Sequence, residues 1–534
     1  MALVRVLALV HRYVGMTIGI LMAMWCVSGI VMMYVAYPDL PESRRVAALP
    51  PLNAGHCCAL PATVLPDDRT VASFQIEMLA KRPVLRVASE FGPPRLVDLN
   101  TGTTIERVSE TEGAVVAEAY GQRTNPVVTC LVPTEAPMPP SCLHTPLQAT
   151  VDDVDQWTLS GVPPSTRPLF RFARDDDPDG TEVYVSSVTG KAVQVTTRRQ
   201  RFWNWLGPIP HWLYVVQLRR HPAVWSNLVI YASAIGVFLT LAGIYLGVNA
   251  FVRNPGRRWS PFRGWLQWHH VTGLIFGVFV LTWVASGLLS MNPWGLLESE
   301  GAGAERQVLQ GEAIKGSQVR STLAALQGLL GTGEILSLRS APLQGRLYVI
   351  ATTALGGRIR FDARGVASPL SPVEIDAEGH SLVELATENG NASDPHHSIP
   401  EEAPARGASG AWPATPASAA TTRVPSPELI TQEDDYYFTH HSQIAQLPAY
   451  RLVLGDTDHT RYYFDAVTGQ LVRKVDAPAR GYRWLHEGLH RLDFTATLRS
   501  RPIWDAVMLV LMAGVTLSTV AGTWLGIRRM RPRR

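Results

Sequence analysis

The sequence predicts a membrane α-helical protein, a bundle of four transmembrane helices with α+β modules outside the membrane. Four segments are apolar over the roughly 20 residues that a bilayer requires, and two long segments between them are too polar for lipid. The chain also repeats itself at an offset of 258 residues, which pairs His11, Gly15, Gly19, Trp25, Ser28, Gly29 and Met33 with His269, Gly273, Gly277, Trp283, Ser286, Gly287 and Met291. We therefore interpret the chain as an internal duplication of one membrane unit.

A second register, offset by 279 residues, extends the repeat through the rest of each unit. It pairs Thr189, Gly190, His211, Arg220, Trp225, Gly243 and Gly247 with Thr468, Gly469, His490, Arg499, Trp504, Gly522 and Gly526. Two histidines therefore recur at equivalent places in each copy, and all four lie near the boundaries of the predicted membrane spans.

The spans are expected near residues 13–36, 223–250, 271–291 and 503–527, and each is rich in small residues that let helices approach closely in lipid. The first span is too long for a signal peptide and has an internal copy, so we interpret it as a retained helix. The chain then divides into transmembrane helix 1 (1–36), outer region 1 (37–200), an aromatic segment with transmembrane helix 2 (201–252), a loop (253–265), transmembrane helix 3 (266–291), outer region 2 (292–480), an aromatic segment with transmembrane helix 4 (481–527), and a basic tail (528–534).

Basic residues predict the orientation of these spans. The connection between spans two and three carries Arg253, Arg257, Arg258 and Arg263 without an acidic residue, and the C-terminal tail is rich in arginine. Such segments favour the cytoplasm, so we expect both termini there and the outer regions in the periplasm of a bacterial inner membrane. The net charge of +3 is small. With no basic-aromatic pattern, it predicts no nucleic-acid partner; the lipid bilayer is the expected surrounding.

The outer regions alternate apolar and polar residues in the manner of strands. Four stretches end in a glycine suited to a hairpin turn, namely Arg95–Gly102, Glu182–Gly190, Arg358–Gly365 and Tyr462–Gly469. We expect two small α+β modules per half. The stretch 389–428 is dense in Ala, Pro, Ser and Thr, so we expect a flexible loop there.

Four of the five cysteines fall in the first outer region, where a periplasmic location allows disulfides. We prefer the pair Cys130–Cys142. Cys57 and Cys58, beside His56, are interpreted as a loop disulfide or free thiols rather than as a metal site. The chain has no C-x-x-C-H motif, so covalent c-type haem attachment is not expected.

The recurring histidines predict two b-type haem sites. Ionisable residues at membrane boundaries are costly unless paired or functional. A twofold axis along the membrane normal would bring His11 to the depth of His269, and His211 to that of His490, and two facing imidazoles are the axial ligands of a six-coordinate haem. Glycines four and eight residues after His11 and His269 suit a porphyrin face, although helix packing explains them equally well.

Other residues remain as secondary candidates for these sites. His270 follows His269 but aligns with Arg12, His486 precedes His490 by four residues but aligns with Gly207, and His221 aligns with Ser500. The aligned pair Arg220 and Arg499 suits haem propionates, with lipid headgroups as the alternative. The histidine pairs His396-His397 and His440-His441 offer a weaker site for iron, and we regard them as inert surface residues.

The segment from His11 to Gly19, together with Trp25, Ser28 and Gly29, resembles the first helix of the PepSY-associated transmembrane proteins. The turns that end at Gly102, Gly190 and Gly469 are similar to those of PepSY modules. Some members resemble ferrioxamine-type siderophore reductases with two haems b. That resemblance implies haem ligation by His11, His211, His269 and His490.

We therefore expect a di-haem b membrane reductase that passes electrons to a periplasmic ferric siderophore or another ferric chelate. The chain has no dinucleotide fingerprint, so membrane quinol or a separate reductase is the expected donor. The alternative is a non-enzymatic PepSY protein that regulates or inhibits a periplasmic peptidase. A permease is less favoured because no acidic residue recurs in the middle of a span; Asp505 fits a helix start.

Overall fold

The computed structural model of the chain describes residues 2–53, 57–58, 60–89, 94–120, 145–174, 177–254, 259–295, 297–330, 333–392, 426–439 and 444–530. The helices are α1 (Ala2–Met32), α2 (Glu42–Ala47), α3 (Glu110–Ala117), α4 (Arg198–Leu206), α5 (Pro208–Trp212), α6 (Val216–Arg219), α7 (Pro222–Val252), α8 (Trp265–Ser290), α9 (Gly303–Gln310), α10 (Gly316–Leu326), α11 (Pro372–Ala392), α12 (Ala477–Tyr482), α13 (Leu489–Arg491), α14 (Ala496–Arg499) and α15 (Ile503–Met530), with a π-helical turn at Arg483–Gly488. The strands are β1 (Thr70–Val71), β2 (Ser73–Leu79), β3 (Arg82–Ala88), β4 (Arg95–Asp98), β5 (Thr104–Ile105), β6 (Leu147–Val151), β7 (Leu169–Ala173), β8 (Glu182–Ser186), β9 (Ala192–Thr196), β10 (Ile314–Lys315), β11 (Ile335–Ser340), β12 (Tyr348–Thr353), β13 (Arg358–Asp362), β14 (Glu428–Ile430), β15 (Ala449–Val453), β16 (Arg461–Asp465) and β17 (Leu471–Val475).

Four of these helices, α1, α7, α8 and α15, are long and apolar enough to cross a membrane. Helix α1 packs against α7 and α15, and α8 packs against the same two helices. The four helices therefore close into a bundle in which α1 lies diagonally opposite α8. The predicted membrane spans are confirmed, and the protein is a multi-pass membrane protein. Helix α1 begins at Ala2 rather than near residue 13, because the residues before the predicted span continue the same helix.

The bundle is held together by close packing around methionines and small residues. Met22, Met508, Met512 and Val515 are buried at its centre. The ring of Phe276 from α8 lies directly against the backbone of Gly514 in α15, where any side chain would collide with it. This close approach agrees with the role that small residues have between helices in lipid.

Two four-stranded antiparallel sheets have the same strand order. One runs β6-β7-β8-β9 and the other β14-β15-β16-β17. Each sheet has an equivalent hydrogen bond from a strand tyrosine. The Tyr184 hydroxyl donates to Asp155 Oδ2 at 2.8 Å, and the Tyr463 hydroxyl donates to Asp434 Oδ2 at 2.8 Å. The predicted hairpin glycines all take positive φ: 71° at Gly102, 66° at Gly190, 76° at Gly365 and 74° at Gly469.

A third sheet joins the two outer regions. Its seven strands run β13-β12-β11-β2-β3-β4-β5. The central pair is antiparallel, with Ile76 of β2 opposite Leu338 of β11. These strands belong to two regions predicted as separate, 37–200 and 292–480, whereas the structure combines them in one sheet around a continuous apolar core.

A buried ionic cluster fixes this sheet to its neighbours. Glu77 of β2 is fully buried and accepts hydrogen bonds from Arg45 of α2 and Arg86 of β3. The Nε of Arg86 also donates to the carbonyl oxygen of Thr189, at 2.8 Å, in the turn after β8. The cluster therefore ties α2, the seven-stranded sheet and the β6–β9 sheet together.

Several sequence predictions fall outside the described residues. These are the Cys130–Cys142 pair, His56, the histidine pairs at 396–397 and 440–441, and most of the loop 389–428. The start of that predicted loop is wrong, because α11 continues to Ala392. Strand β14 begins at Glu428, the last residue of the predicted loop. Cys57 and Cys58 form a disulfide, one of the two states that the sequence left open.

Helix α11 carries a fully buried carboxyl group, Glu378, between the buried residues Ile375 and Leu382. Neither of its carboxyl oxygens has a hydrogen-bond partner among the described residues. Burial raises the pKa of Glu378 to about 9. The folded protein therefore holds a proton at neutral pH that the unfolded chain releases above its ordinary pKa of about 4.5.

The Glu378→Gln variant should raise stability at pH 8 and change it little at pH 5. Since the folded pKa lies above the unfolded one, the wild type loses stability as pH rises through that window, by about 1.4 kcal/mol per pH unit. Thermal unfolding in detergent, followed by tryptophan fluorescence at both pH values, measures the difference. Glu384→Gln, an exposed site on the same helix, is the control. Equal shifts at both pH values would contradict the prediction.

Candidate functional site

The structure brings His11 and His269 together across the bundle. His11 comes from α1 and His269 from the diagonal helix α8. Their ring centroids are 6.3 Å apart and the ring planes are inclined by 35°. This is the inner pair, and it unites two of the four histidines singled out by the repeat.

Each ring of the inner pair is held through Nδ1. The Nδ1 of His11 lies 3.1 Å from the carbonyl oxygen of Leu239, and that of His269 lies 2.9 Å from the carbonyl oxygen of Ser518. Leu239 and Ser518 are themselves related by the 279-residue offset. Because a carbonyl oxygen only accepts, Nδ1 must carry the proton, and Nε2 then bears the free lone pair.

Two glycines lie directly against these rings. A Cβ at Gly243 would be 2.7 Å from Cε1 of His11, and a Cβ at Gly522 would be 2.7 Å from Cε1 of His269. Gly243 and Gly522 align in the sequence repeat, but the sequence does not predict that they leave space for the histidine rings. The glycines after His11 and His269 instead face neighbouring helices. For example, a Cβ at Gly19 would lie 2.9 Å from Oγ1 of Thr523 in α15, which supports helix packing at this position.

His211 and His490 form a second pair, the outer pair, with ring centroids 6.2 Å apart and planes at 77°. They lie on the short helices α5 and α13, each of which ends at a leucine in the left-handed region. Each Nδ1 contacts one carbonyl oxygen and one hydroxyl on the adjacent long helix: Trp25 O at 3.0 Å and Ser28 Oγ at 3.2 Å for His211, and Trp283 O at 3.1 Å and Ser286 Oγ at 3.0 Å for His490. The repeated Trp and Ser thus act as anchors for the outer pair.

The outer pair is uncharged at neutral pH. Burial lowers the pKa of His211 to about 4 and holds the pKa of His490 well below its usual value. A neutral imidazole that donates through Nδ1 presents an Nε2 lone pair, which is the form that binds transition metals.

A cavity of about 1620 Å³ contains both rings of the outer pair. Its base is apolar and lies within the helix bundle, where Met22, Val280, Met508, Met512 and Val515 line it. Its mouth is polar and includes Arg491, Asp493, Arg499 and Arg501. The volume exceeds the roughly 300–1,000 Å³ that is common for one small ligand.

Three buried donors belong to residues that line this cavity. The Nη2 of Arg499 and the Nε1 atoms of Trp25 and Trp283 are buried and have no hydrogen-bond partner among the described residues. Arg499 is oriented by Asp493, because its Nε donates to Asp493 Oδ1 at 2.7 Å. Arg220, the aligned partner of Arg499, does not line the cavity and donates instead to the carbonyl oxygen of Val154.

The secondary histidines are placed differently from one another. His486 stacks on His490 with centroids 5.1 Å apart, and it lines the cavity. His270 is buried against α7, where its Nε2 lies 3.0 Å from the carbonyl oxygen of Gly247. His221 is exposed at the start of α7. His269, and not His270, therefore faces His11.

Comparison with known protein families identifies the family of the chain. The model of the PepSY-associated TM region matches residues 8–356, more than half of the chain, so the chain belongs to that family. The match includes His11, His211 and His269, and it ends before His490. A comparison with curated proteins found no match.

Proposed function

We propose that this member of the PepSY-associated family is a di-haem b reductase that passes electrons through the membrane to a ferric siderophore or another ferric chelate. The observation that carries the proposal is the spacing of the two histidine pairs, 6.3 Å and 6.2 Å between ring centroids. An imidazole nitrogen binds a transition metal at about 2.0–2.1 Å, so two rings on opposite sides of one ion hold their centroids roughly 6 Å apart.

The hydrogen bonds at Nδ1 support metal ligation. Histidine ligands almost always donate the other ring N–H to a carbonyl oxygen or carboxylate, which fixes the ring orientation and raises the basicity of the ligand. All four histidines make such a contact with a helix carbonyl oxygen. His270 and His486 also contact carbonyl oxygens, so the support comes from the equivalence of the four contacts in two facing pairs.

The residues around the outer pair also fit a porphyrin. The apolar base of the cavity would suit its ring, and the guanidinium of Arg499 at the polar mouth would suit a carboxylate. Bound haem supplies a one-electron Fe(III)/Fe(II) couple. His11 and His269, and His211 and His490, would hold the two haems, and their Nδ1 hydrogen bonds fix the orientation of the rings.

The two pairs lie at different depths along the same helices. In α1, His11 belongs to the inner pair and Ser28 contacts His211 of the outer pair. These two residues are 17 positions apart, which is a rise of about 25 Å along the helix. Two cofactors at these depths would divide the membrane into two shorter electron-transfer steps. We infer a bacterial inner membrane with both termini in the cytoplasm, the inner pair near the donor, and the modules in the periplasm. Membrane quinol or a separate reductase would supply the electrons.

The symmetry of the contacts supports an origin by duplication. The contact of His11 with Leu239 O corresponds to that of His269 with Ser518 O. The contact of the Ser28 hydroxyl with His211 corresponds to that of the Ser286 hydroxyl with His490. A duplicated unit builds both sites from the same local sequence, and each site takes one ligand from each copy.

Haem content tests the two proposed haem sites. Purified protein, expressed with ample haem, should show b-type α bands after dithionite reduction and about two haems per chain in a pyridine haemochrome assay. His11→Ala and His211→Ala should each lower the content by about one, because each removes one axial ligand from a different site.

His221→Ala is the matched control and should keep both haems, since His221 is exposed at the start of α7. A wild-type protein without a Soret band would refute the reductase and favour the non-enzymatic, peptidase-regulating function.

The glycines against the inner rings offer a separate test of the inner site. Gly243→Ala should weaken haem binding at the inner pair alone, because the new methyl group would displace the His11 ring. Gly247→Ala, one turn further along α7, is the control, since its nearest neighbour is the flexible side chain of Leu274 at 3.0 Å. Spectral redox titration separates the two haems. Loss of the outer haem, or equal loss in both variants, would contradict the prediction.

A further inference from the structure

The two halves of the repeat differ chemically at the outer pair. In the 279-residue register, the first half has Gly207, Pro208, Trp212 and Tyr214, where the second half has His486, Glu487, Arg491 and Asp493. A haem held between equivalent histidines needs only residues that both halves have in common. The residues that differ between the halves therefore indicate a second ligand, which contacts the residues of one half.

The first half supplies an aromatic wall to the cavity. Tyr214 packs against Tyr37 and against Trp212, with ring centroids 5.5 Å apart in both cases, and all three residues line the cavity. The contacts are edge-to-face, which is a favourable arrangement for aromatic rings. This wall offers mainly apolar surface.

The second half supplies a polar wall, formed by His486, Glu487, Arg491 and Asp493, and all four line the same cavity. His486 connects the wall to the outer pair, because its ring stacks on His490. The Nδ1 of His486 lies 3.3 Å from the carbonyl oxygen of Ser286, which orients the ring. A molecule in contact with His486 is therefore one ring away from His490, which would ligate the haem.

We propose that this polar wall is the docking site of the electron acceptor, a ferric chelate with oxygen donor atoms. The inference rests on the proposed reductase function. The guanidinium of Arg491 suits the chelating oxygens, because it presents several N–H donors in a fixed plane. The backbone of Arg491 is fixed by Trp504, whose Nε1 donates to its carbonyl oxygen at 2.7 Å. The cavity of about 1620 Å³ is larger than the roughly 300–1,000 Å³ that is common for one small ligand.

One electron reaches the chelated iron at this wall. The chelated iron would go from Fe(III) to Fe(II); a reduced haem held by His211 and His490 would supply that electron, and no covalent bond to the protein would form. Reduction weakens the hold of hard oxygen ligands on the iron and so favours its release.

Binding of a gallium(III) trishydroxamate tests the wall without any redox chemistry, because gallium(III) replaces the ferric ion and is not reduced. The haem-loaded, full-length protein in detergent is titrated by isothermal calorimetry. Arg491→Gln and His486→Gln should each weaken binding roughly ten- to hundredfold, as expected for loss of a hydrogen bond to a charged or buried polar group. Trp212→Phe, at the position equivalent to Arg491, should bind as the wild type does.

A second readout follows reoxidation of the dithionite-reduced protein by stopped-flow spectroscopy. Both polar-wall variants should keep two haems and react with dioxygen at the wild-type rate, while reoxidation by the ferric trishydroxamate slows by the same factor as binding. Equal gallium affinity in all variants, or wild-type protein that binds no chelate, would overturn the docking site. Wild-type protein that binds the gallium chelate at this wall but contains no haem would refute the reductase function and leave the binding site in place.

Discussion

The hydrogen bond between a histidine Nδ1 and a helix carbonyl oxygen is the interaction on which both candidate sites depend. Burial disfavours the charged imidazole, and a buried neutral ring needs an acceptor for its N–H. The carbonyl oxygens of Leu239, Trp25, Ser518 and Trp283 supply that acceptor in the four cases. They come from rigid transmembrane helices, so the orientation of each ring follows from how the helices pack. The ring spacing of about 6 Å is thus a property of the bundle.

The packing of the bundle is itself constrained by the sheet above it. Strands β2 and β11 occupy corresponding places in the two outer regions, and they pair with each other at the centre of the seven-stranded sheet. The halves are therefore joined in the bundle, where α1 and α8 each pack on both α7 and α15, and again in this sheet. Two separate connections resist relative rotation of the halves better than one. Such resistance preserves the spacing between histidines that come from different halves.

The sequence is sufficient to predict the membrane helices and the histidine pairs, but not several of the contacts between secondary-structure elements. Hydropathy located all four membrane helices, and the repeat selected His11, His211, His269 and His490, which the structure brings together in the expected pairs. The pairing of β2 with β11 was missed, because apolar alternation marks a strand and not its partner. The Nδ1 acceptors were missed for a similar reason, since a backbone carbonyl has no signature in the sequence. The significance of Gly243 was also missed, because only the folded structure shows the ring of His11 against it.

Symmetry between the halves and departure from it have different meanings. Residues that agree in both registers, such as Ser28 and Ser286, lie where the two halves must do the same thing, which is to hold an imidazole. In the polar wall, the second half has His486 and Arg491 at the positions where the first half has Gly207 and Trp212. These differences bring polar groups close to the helix bundle. Buried polar groups cost stability unless they find partners. The polar wall meets this requirement in part within the protein, since the Nδ1 of His486 contacts the carbonyl oxygen of Ser286 and Asp493 accepts from Arg499. The second half therefore gives the cavity a polar side that the first half lacks, and a bound molecule with polar groups would contact that side.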